Sequence, residues 1–283
     1  MAIRVVTDSV ADLPPALASA HDVTVVPAYV IIGAETYRDG LDISTDHFYE
    51  QLGTLPRLPT TSQPTVADFH EVYQRLLDQG HQIVSVHVSS KLSGTFNSAT
   101  QAKAALGNDI PIEVVDTQLA SGPQALAVLD AAEWAREMTD YQDLARRVRQ
   151  STSRYQCYVL LDTLEFLKKG GRIGKASAFV GGMLKVKPIL TIRDGEVHPV
   201  ERPRSRDRGM ARLIELVREL GPAQRINVSF STDREQALAM RQELAGLVGP
   251  DSLLETRFGS VLGTYLGPNA LGVSVALGSD DWP

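Results

Sequence analysis

Cysteine occurs once in the 283 residues, at Cys157, so an internal disulfide is excluded. The six histidines (His21, His47, His70, His81, His87 and His198) show no paired ligand spacing, and a zinc-type metal site has no support. Cys157 lies in the apolar run from Tyr155 to Leu161 and reads as a small buried core residue rather than a reactive thiol. Positive charge is also short. The 28 Lys and Arg against 34 Asp and Glu leave a net charge of -6, which argues against nucleic acid as the main partner. No stretch approaches the roughly 20 apolar residues of a membrane span. The chain opens on Ile3-Arg4-Val5-Val6, with no basic leader and apolar signal core. The expected location is therefore the cytoplasm, with at most transient membrane contact.

Familiar catalytic signatures are missing too. There is no Gly-x-Ser-x-Gly elbow and no Gly-x-Gly-x-x-Gly after the first strand, so neither an α/β-hydrolase nor a dinucleotide site is supported. The segment from Leu167 to Lys175 resembles a phosphate loop but fails the template. Lys169 stands where its first glycine belongs, and Ala176 where Ser or Thr should follow the lysine. The expectation is a binding protein without its own catalytic machinery, cofactor or metal.

What is present describes a folded α/β protein. Hydrophobic residues make up 43% and charged residues 22%, the balance of a globular chain. Ile3 to Thr7 and the longer run Val23 to Ile32 read as strands, then Ser44 or Thr45 caps a helix reaching Leu52. Thr65 and Asp68 form a capping-box start for a helix from Val66 to Gln79, and Ile83 to Val88 and Ile112 to Val115 are strands each followed by a helical stretch. Such alternation implies a mostly parallel sheet covered by helices. A boundary near residue 152 divides an N-terminal α/β domain, 1–152, from a mixed C-terminal α/β domain, 153–283. The second begins with a strand over Gln156 to Leu161. A hairpin of Lys187 to Ile192 and Glu196 to Val200 turns at Asp194-Gly195, and helices over Met210 to Leu220 and Arg234 to Val248 alternate with strands over Arg225 to Ser231 and Ser252 to Phe258.

Three segments carry candidate chemistry. In the loop Thr60-Thr61-Ser62-Gln63-Pro64-Thr65, Thr61 or Ser62 donates to an anionic ligand, or the hydroxyls merely cap the following helix. After the strand ending at Val88, Ser93, Gly94 and Thr95 sit where free N–H groups and the helix dipole favour an anion, or they form a purely structural turn. Arg172, in a glycine turn, offers a guanidinium fork for a carboxylate or phosphate, or is a solvated surface arginine. The run Arg202, Arg204, Arg206 and Arg208, with Arg212 beyond, is either a solvated face or a local docking patch.

Taken together, these segments resemble the DegV family of fatty-acid-binding proteins. The matching pieces are Thr7-Asp8-Ser9 with Asp12-Leu13, Thr61-Ser62-Gln63-Pro64, the stretch Ser89 to Thr95, Gly170-Gly171-Arg172-Ile173, Lys187-Pro188-Ile189-Leu190, and the stretch Gly267 to Gly272. They fall in the family's order over almost the whole chain. The resemblance implies one long-chain fatty acid, its carboxylate held by Thr61, Ser62 and Ser93 and its acyl chain in an apolar tunnel. It further implies presentation of that lipid to a separate ATP-binding kinase subunit, which forms an acyl phosphate for phospholipid synthesis. Arg172 and Arg204 would help bind carboxylate or phosphate, or dock the kinase. One departure stands out: Tyr265 occupies the position of a histidine that the family usually places before its Gly-Pro motif. A tyrosine hydroxyl donates a hydrogen bond but does not carry the charge that histidine can. That change puts phosphoryl transfer in question while leaving lipid binding intact. Two alternatives follow: a lipid sensor that meets no kinase, and an enzyme acting on a small phosphorylated metabolite through Ser93 and Arg172.

Overall fold

The computed structural model describes residues 2–107, 109–179 and 186–278. Strand β1 (Ile3–Asp8) is buried along nearly its whole length, as its run of β-branched residues demands. Helix α1 (Pro15–Ala20) begins with proline where a missing N–H costs nothing. The run Val23 to Ile32 is not one strand: it forms β2 (Val23–Val26) and β3 (Tyr29–Ile32) in different sheets. Pro27, which has no N–H to donate, separates them. Strand β4 (Glu35–Arg38), helix α2 (Thr45–Leu52, capped by Ser44) and strand β5 (Thr60–Ser62) follow.

The expected alternation then appears. Helix α3 (Val66–Asp78) opens with the Thr65–Asp68 capping box. Strand β6 (Gln82–His87), helix α4 (Thr95–Leu106), strand β7 (Ile112–Asp116), helix α5 (Gly122–Trp134) and helix α6 (Tyr141–Ser151) complete this half. The second half contributes β8 (Tyr155–Leu160), α7 (Glu165–Lys169), β9 (Ile189–Arg193), β10 (Glu196–Glu201), α8 (Arg206–Glu219), β11 (Ala223–Phe230), α9 (Arg234–Leu244), β12 (Leu253–Arg257), α10 (Ser260–Leu266) and β13 (Leu271–Leu277). The β9–β10 turn places Asp194 and Gly195 at φ of 50° and 77°, the left-handed pair that a tight hairpin requires. Helix α8 starts four residues earlier than its apolar pattern predicts, because Ser205 caps it by accepting from Arg208 N.

Three sheets result among the described residues. β2-β1-β6-β7 is all parallel, β10-β9-β8-β13-β11-β12 is mixed, and β4-β3-β5 is a small antiparallel sheet. The parallel sheet packs Val5, Val84 and Val86 against α5 and α6 on one face, and Val6, Ile83 and Ile112 against α3 and α4 on the other. The mixed sheet packs Ile226, Val228 and Val273 against α8 and α9. Its opposite face meets α5, whose residues Gly122 to Ala132 are all buried. A helical stretch that is apolar on all sides but for Gln124 and Asp130 must be enclosed. Here it is pressed between the two large sheets.

Candidate functional site

Between the mixed sheet and the carboxyl ends of the parallel strands lies a cavity of about 1060 Å³, its open mouth included. That is where open α/β sheets place their ligands. The walls are mostly apolar: Val10 and Val88 come from the N-terminal half, Val159, Leu190 and Ile192 from the mixed sheet, and Leu262 from α10. Val197 on β10 and Ser229 on β11 both line it, and four strand steps separate them. At about 4.8 Å per step the cavity runs about 19 Å across the sheet.

One end is polar, beside β10. Arg172 lies there, its guanidinium 5.3 Å from the centre of the Tyr265 ring. Its Nε donates to the Leu92 carbonyl (3.3 Å) and its Nη1 to the Gly170 carbonyl (2.9 Å), which fixes the fork. Gly170 is required here, since a Cβ would fall 2.5 Å from the Tyr265 ring. Tyr265, on α10, shares a hydrogen bond with the hydroxyl of Thr61. Thr61 was expected in a loop before a helix; it sits instead in β5, paired with Val30. Ser62 and Ser93 line the same cavity. Ser93 Oγ lies 2.8 Å from the Thr95 hydroxyl and accepts from Thr95 N at 3.3 Å.

Thus Thr61, Ser62, Ser93, Arg172 and Tyr265 converge on the cavity, and three other expected site residues stand apart. Gly94 borders a shallow neighbouring depression with Lys91, Arg172 and Lys175. Thr95 is wholly buried at the start of α4, its hydroxyl turned to Ser93. Arg204 is exposed just before the Ser205 cap of α8, which covers the opposite face of the mixed sheet, and among the described residues it lines neither space. The arginine run does not act as one patch. Arg206 faces Asp162 (3.6 Å), Arg212 is held by Glu201, Glu215 and Glu219, and Arg202 stacks on Phe179 at 4.7 Å.

Cys157, expected in the core, lines the cavity instead. Burial pushes its thiol up to about 11, so it is a neutral wall group near pH 7 rather than a nucleophile. Among the described lining residues Arg172 carries the one formal charge, and no carboxylate or imidazole faces the cavity. A Ser85–His87–Asp8 chain does exist, with Ser85 Oγ 2.7 Å from His87 Nε2 and His87 Nδ1 2.9 Å from Asp8. It has the order of a nucleophile triad. All three residues are fully buried and Tyr73 donates to Ser85, so this chain joins β1 to β6 rather than meeting a substrate.

Sequence reasoning missed what holds α10 in place. Asp12 accepts from Gly259 N (2.8 Å) and from the Ser121 hydroxyl, and Asp39 accepts from Ser260 N (3.1 Å). Burial raises the pKa of both carboxyls above the ordinary range. The Asp8-Ser9 and Asp12 signal at the first turn was visible in the sequence, but its partner 247 residues away was not.

Among the described lining residues, one guanidinium and several hydroxyls thus gather at one end of a mostly apolar cavity. A profile described as an uncharacterised protein of the DegV family matches residues 2–277. The protein DegV of Bacillus subtilis is 33% identical over 277 residues, covering 96% of this chain and 98% of its own length. This chain belongs to the DegV family. Among solved structures, a fatty-acid-binding DegV family protein from Thermus thermophilus superposes with a TM-score of 0.90 at 34% identity, covering 98% of this chain and 100% of that one. A stearic-acid-binding protein from Eubacterium ventriosum gives 0.88 at 27% identity, covering 96% of this chain and 97% of that one.

Proposed function

We propose that this protein binds one long-chain fatty acid, its carboxylate at Arg172, Thr61, Ser62, Ser93 and Tyr265 and its acyl chain across the mixed sheet. The carrying observation is the charge pattern of the cavity: among the described lining residues, one cation at one end of a mostly apolar space. An apolar chain contributes about 0.8 kcal/mol per buried CH₂, so the tail supplies most of the affinity. The polar head fixes orientation. The relatives from Thermus thermophilus and Eubacterium ventriosum, described as binding fatty acid and stearic acid, support the same ligand class.

The bound acid is presented to a separate ATP-dependent kinase subunit, which forms the acyl phosphate. The polar end supports this reading because Arg172 opens onto a depression lined by Lys91, Lys175 and Glu196, where two ammonium groups share one carboxylate (4.0 and 3.8 Å) and leave a net positive charge for a phosphoryl group. Tyr265 favours a second reading, a sensor that binds lipid without phosphoryl transfer. Native mass spectrometry of wild type and Ser93→Ala, followed by lipid extraction, tests the ligand. One fatty acid per chain, depleted in the variant, is the expected result; an empty protein that takes up no added fatty acid overturns it. Acyl phosphate formation in a reconstituted kinase assay separates the two roles.

A further inference from the structure

The end of the cavity remote from Arg172 is not apolar. Ser121, Ser229 and Ser274 form part of its wall, just before α5, on β11 and on β13. Strand register sets Asn227 opposite Ser274 and Ser229 opposite Gly272, so a polar row crosses this face of the sheet. Behind the wall Asn227 Nδ2 donates to Ser229 Oγ (3.2 Å) and Thr256 Oγ1 (3.0 Å), and those two hydroxyls lie 2.9 Å apart. The Asn227 Oδ1 acceptor is buried and has no partner among the described residues. Gly122 presses directly on the row: a Cβ there would fall 2.3 Å from Ser274 Oγ and 3.0 Å from Asn227 Nδ2.

Ser121 Oγ is bonded to Asp12 and Ser229 Oγ to Asn227 and Thr256, but Ser274 Oγ has no side-chain partner among the described residues, so a wholly aliphatic tail laid against it would return no hydrogen bond, which is a cost. A tail carrying its own oxygen would offer a partner instead. We propose that the cavity is built for acyl chains bearing a hydroxyl in their distal half, with Ser229 and Ser274 as its direct partners. This rests on the fatty-acid reading above and narrows its ligand class. The dimensions agree: Ser274 and Ser229 lie three and four strand steps from Val197, about 14 to 19 Å from the Arg172 end, so the oxygen belongs well down the chain.

The test is calorimetric titration of the delipidated full chain with octadecanoate and with 12-hydroxyoctadecanoate. Wild type is expected to bind the hydroxylated acid at least as tightly as the plain one. Ser274→Ala and Ser229→Ala are each expected to lower the ratio of the two affinities by about fivefold to tenfold, the worth of one hydrogen bond. Ser274→Thr, which keeps the hydroxyl, is expected to restore the ratio, and thermal unfolding identifies any variant that fails to fold. Tenfold or weaker binding of the hydroxylated acid to wild type, with octadecanoate bound, overturns the inference and leaves the fatty-acid reading standing. A ratio that neither substitution moves also overturns it. Failure of wild type to bind either acid removes the reading itself.

Discussion

Arg172 is held by two backbone carbonyls and a ring, Leu92, Gly170 and Tyr265, so its fork is pre-oriented before any ligand arrives. A carboxylate that meets such a fork gains a charge-assisted hydrogen bond, worth about 1.5–3 kcal/mol. Arg172→Met should therefore weaken fatty-acid binding about tenfold to a hundredfold, read by titration, and leave binding of an uncharged long-chain alcohol nearly unchanged. Arg172→Lys should recover only part of the loss, since an ammonium cannot occupy both carbonyls and the ring face at once. Equal weakening of acid and alcohol by Arg172→Met would mean that the guanidinium acts through packing alone.

At the scale of elements, α10 decides whether the polar end exists. It carries Tyr265, and its first turn is tied to the N-terminal half by Asp12 and Asp39. Burial, first of all, raises the Asp12 pKa, and the nearby Asp39 and Asp8 charges push the same way. A raised carboxyl stabilises the fold fully below its unfolded pKa of about 3.9 and loses that contribution as pH rises through the folded value. Asp12→Asn keeps an acceptor for Gly259 N without the charge. The melting temperature of Asp12→Asn relative to wild type should therefore be more favourable at pH 8 than at pH 4; a difference that does not change with pH refutes a raised Asp12. Gly170 acts through the same helix. Gly170→Ala drives a methyl into the Tyr265 ring, and a loss of about 1–3 kcal/mol of stability together with weaker ligand binding is expected from chemical unfolding and titration.

The whole molecule is joined through α5. Val128 and Leu129 pack in the core of the parallel sheet, while the same helix contacts β8, β11 and β13. Asp130 adds an ion pair to Arg225 at 2.6 Å and a hydrogen bond from Tyr155 at 2.8 Å, both from the second half. Leu129→Ala should cost about 2–5 kcal/mol, measured by chemical denaturation. Because the cavity is walled by both halves, a ligand that fills it stabilises the assembled state. Added fatty acid at a hundred times its Kd should contribute about 2.7 kcal/mol and raise the melting temperature by a few degrees. Absence of any shift would deny binding to the folded form.

Strands and helices with a clear period, β1, β6, β7, α3 and the β9–β10 hairpin, were legible because each is specified by local pattern, caps and turn residues. The split of Val23 to Ile32, the strand role of Thr61 and the early start of α8 were less so. The first follows from Pro27, the second from pairing with Val30, and the third from a serine cap stronger than the apolar period. The sequence by itself determined the class of fold and marked Ser62, Ser93 and Arg172 as separate candidates, while their grouping at one site was implied only by the family resemblance. Only the tertiary structure decided that Cys157 lines the cavity, that Arg204 lies away from it, and that Ser229 and Ser274 face inward. The alternation of Asn227 and Ser229 with Ile226 and Val228 along β11 reads locally as a solvent face. The burial of that face is set by α5, whose position depends on two sheets closing around it, and no local pattern encodes that closure.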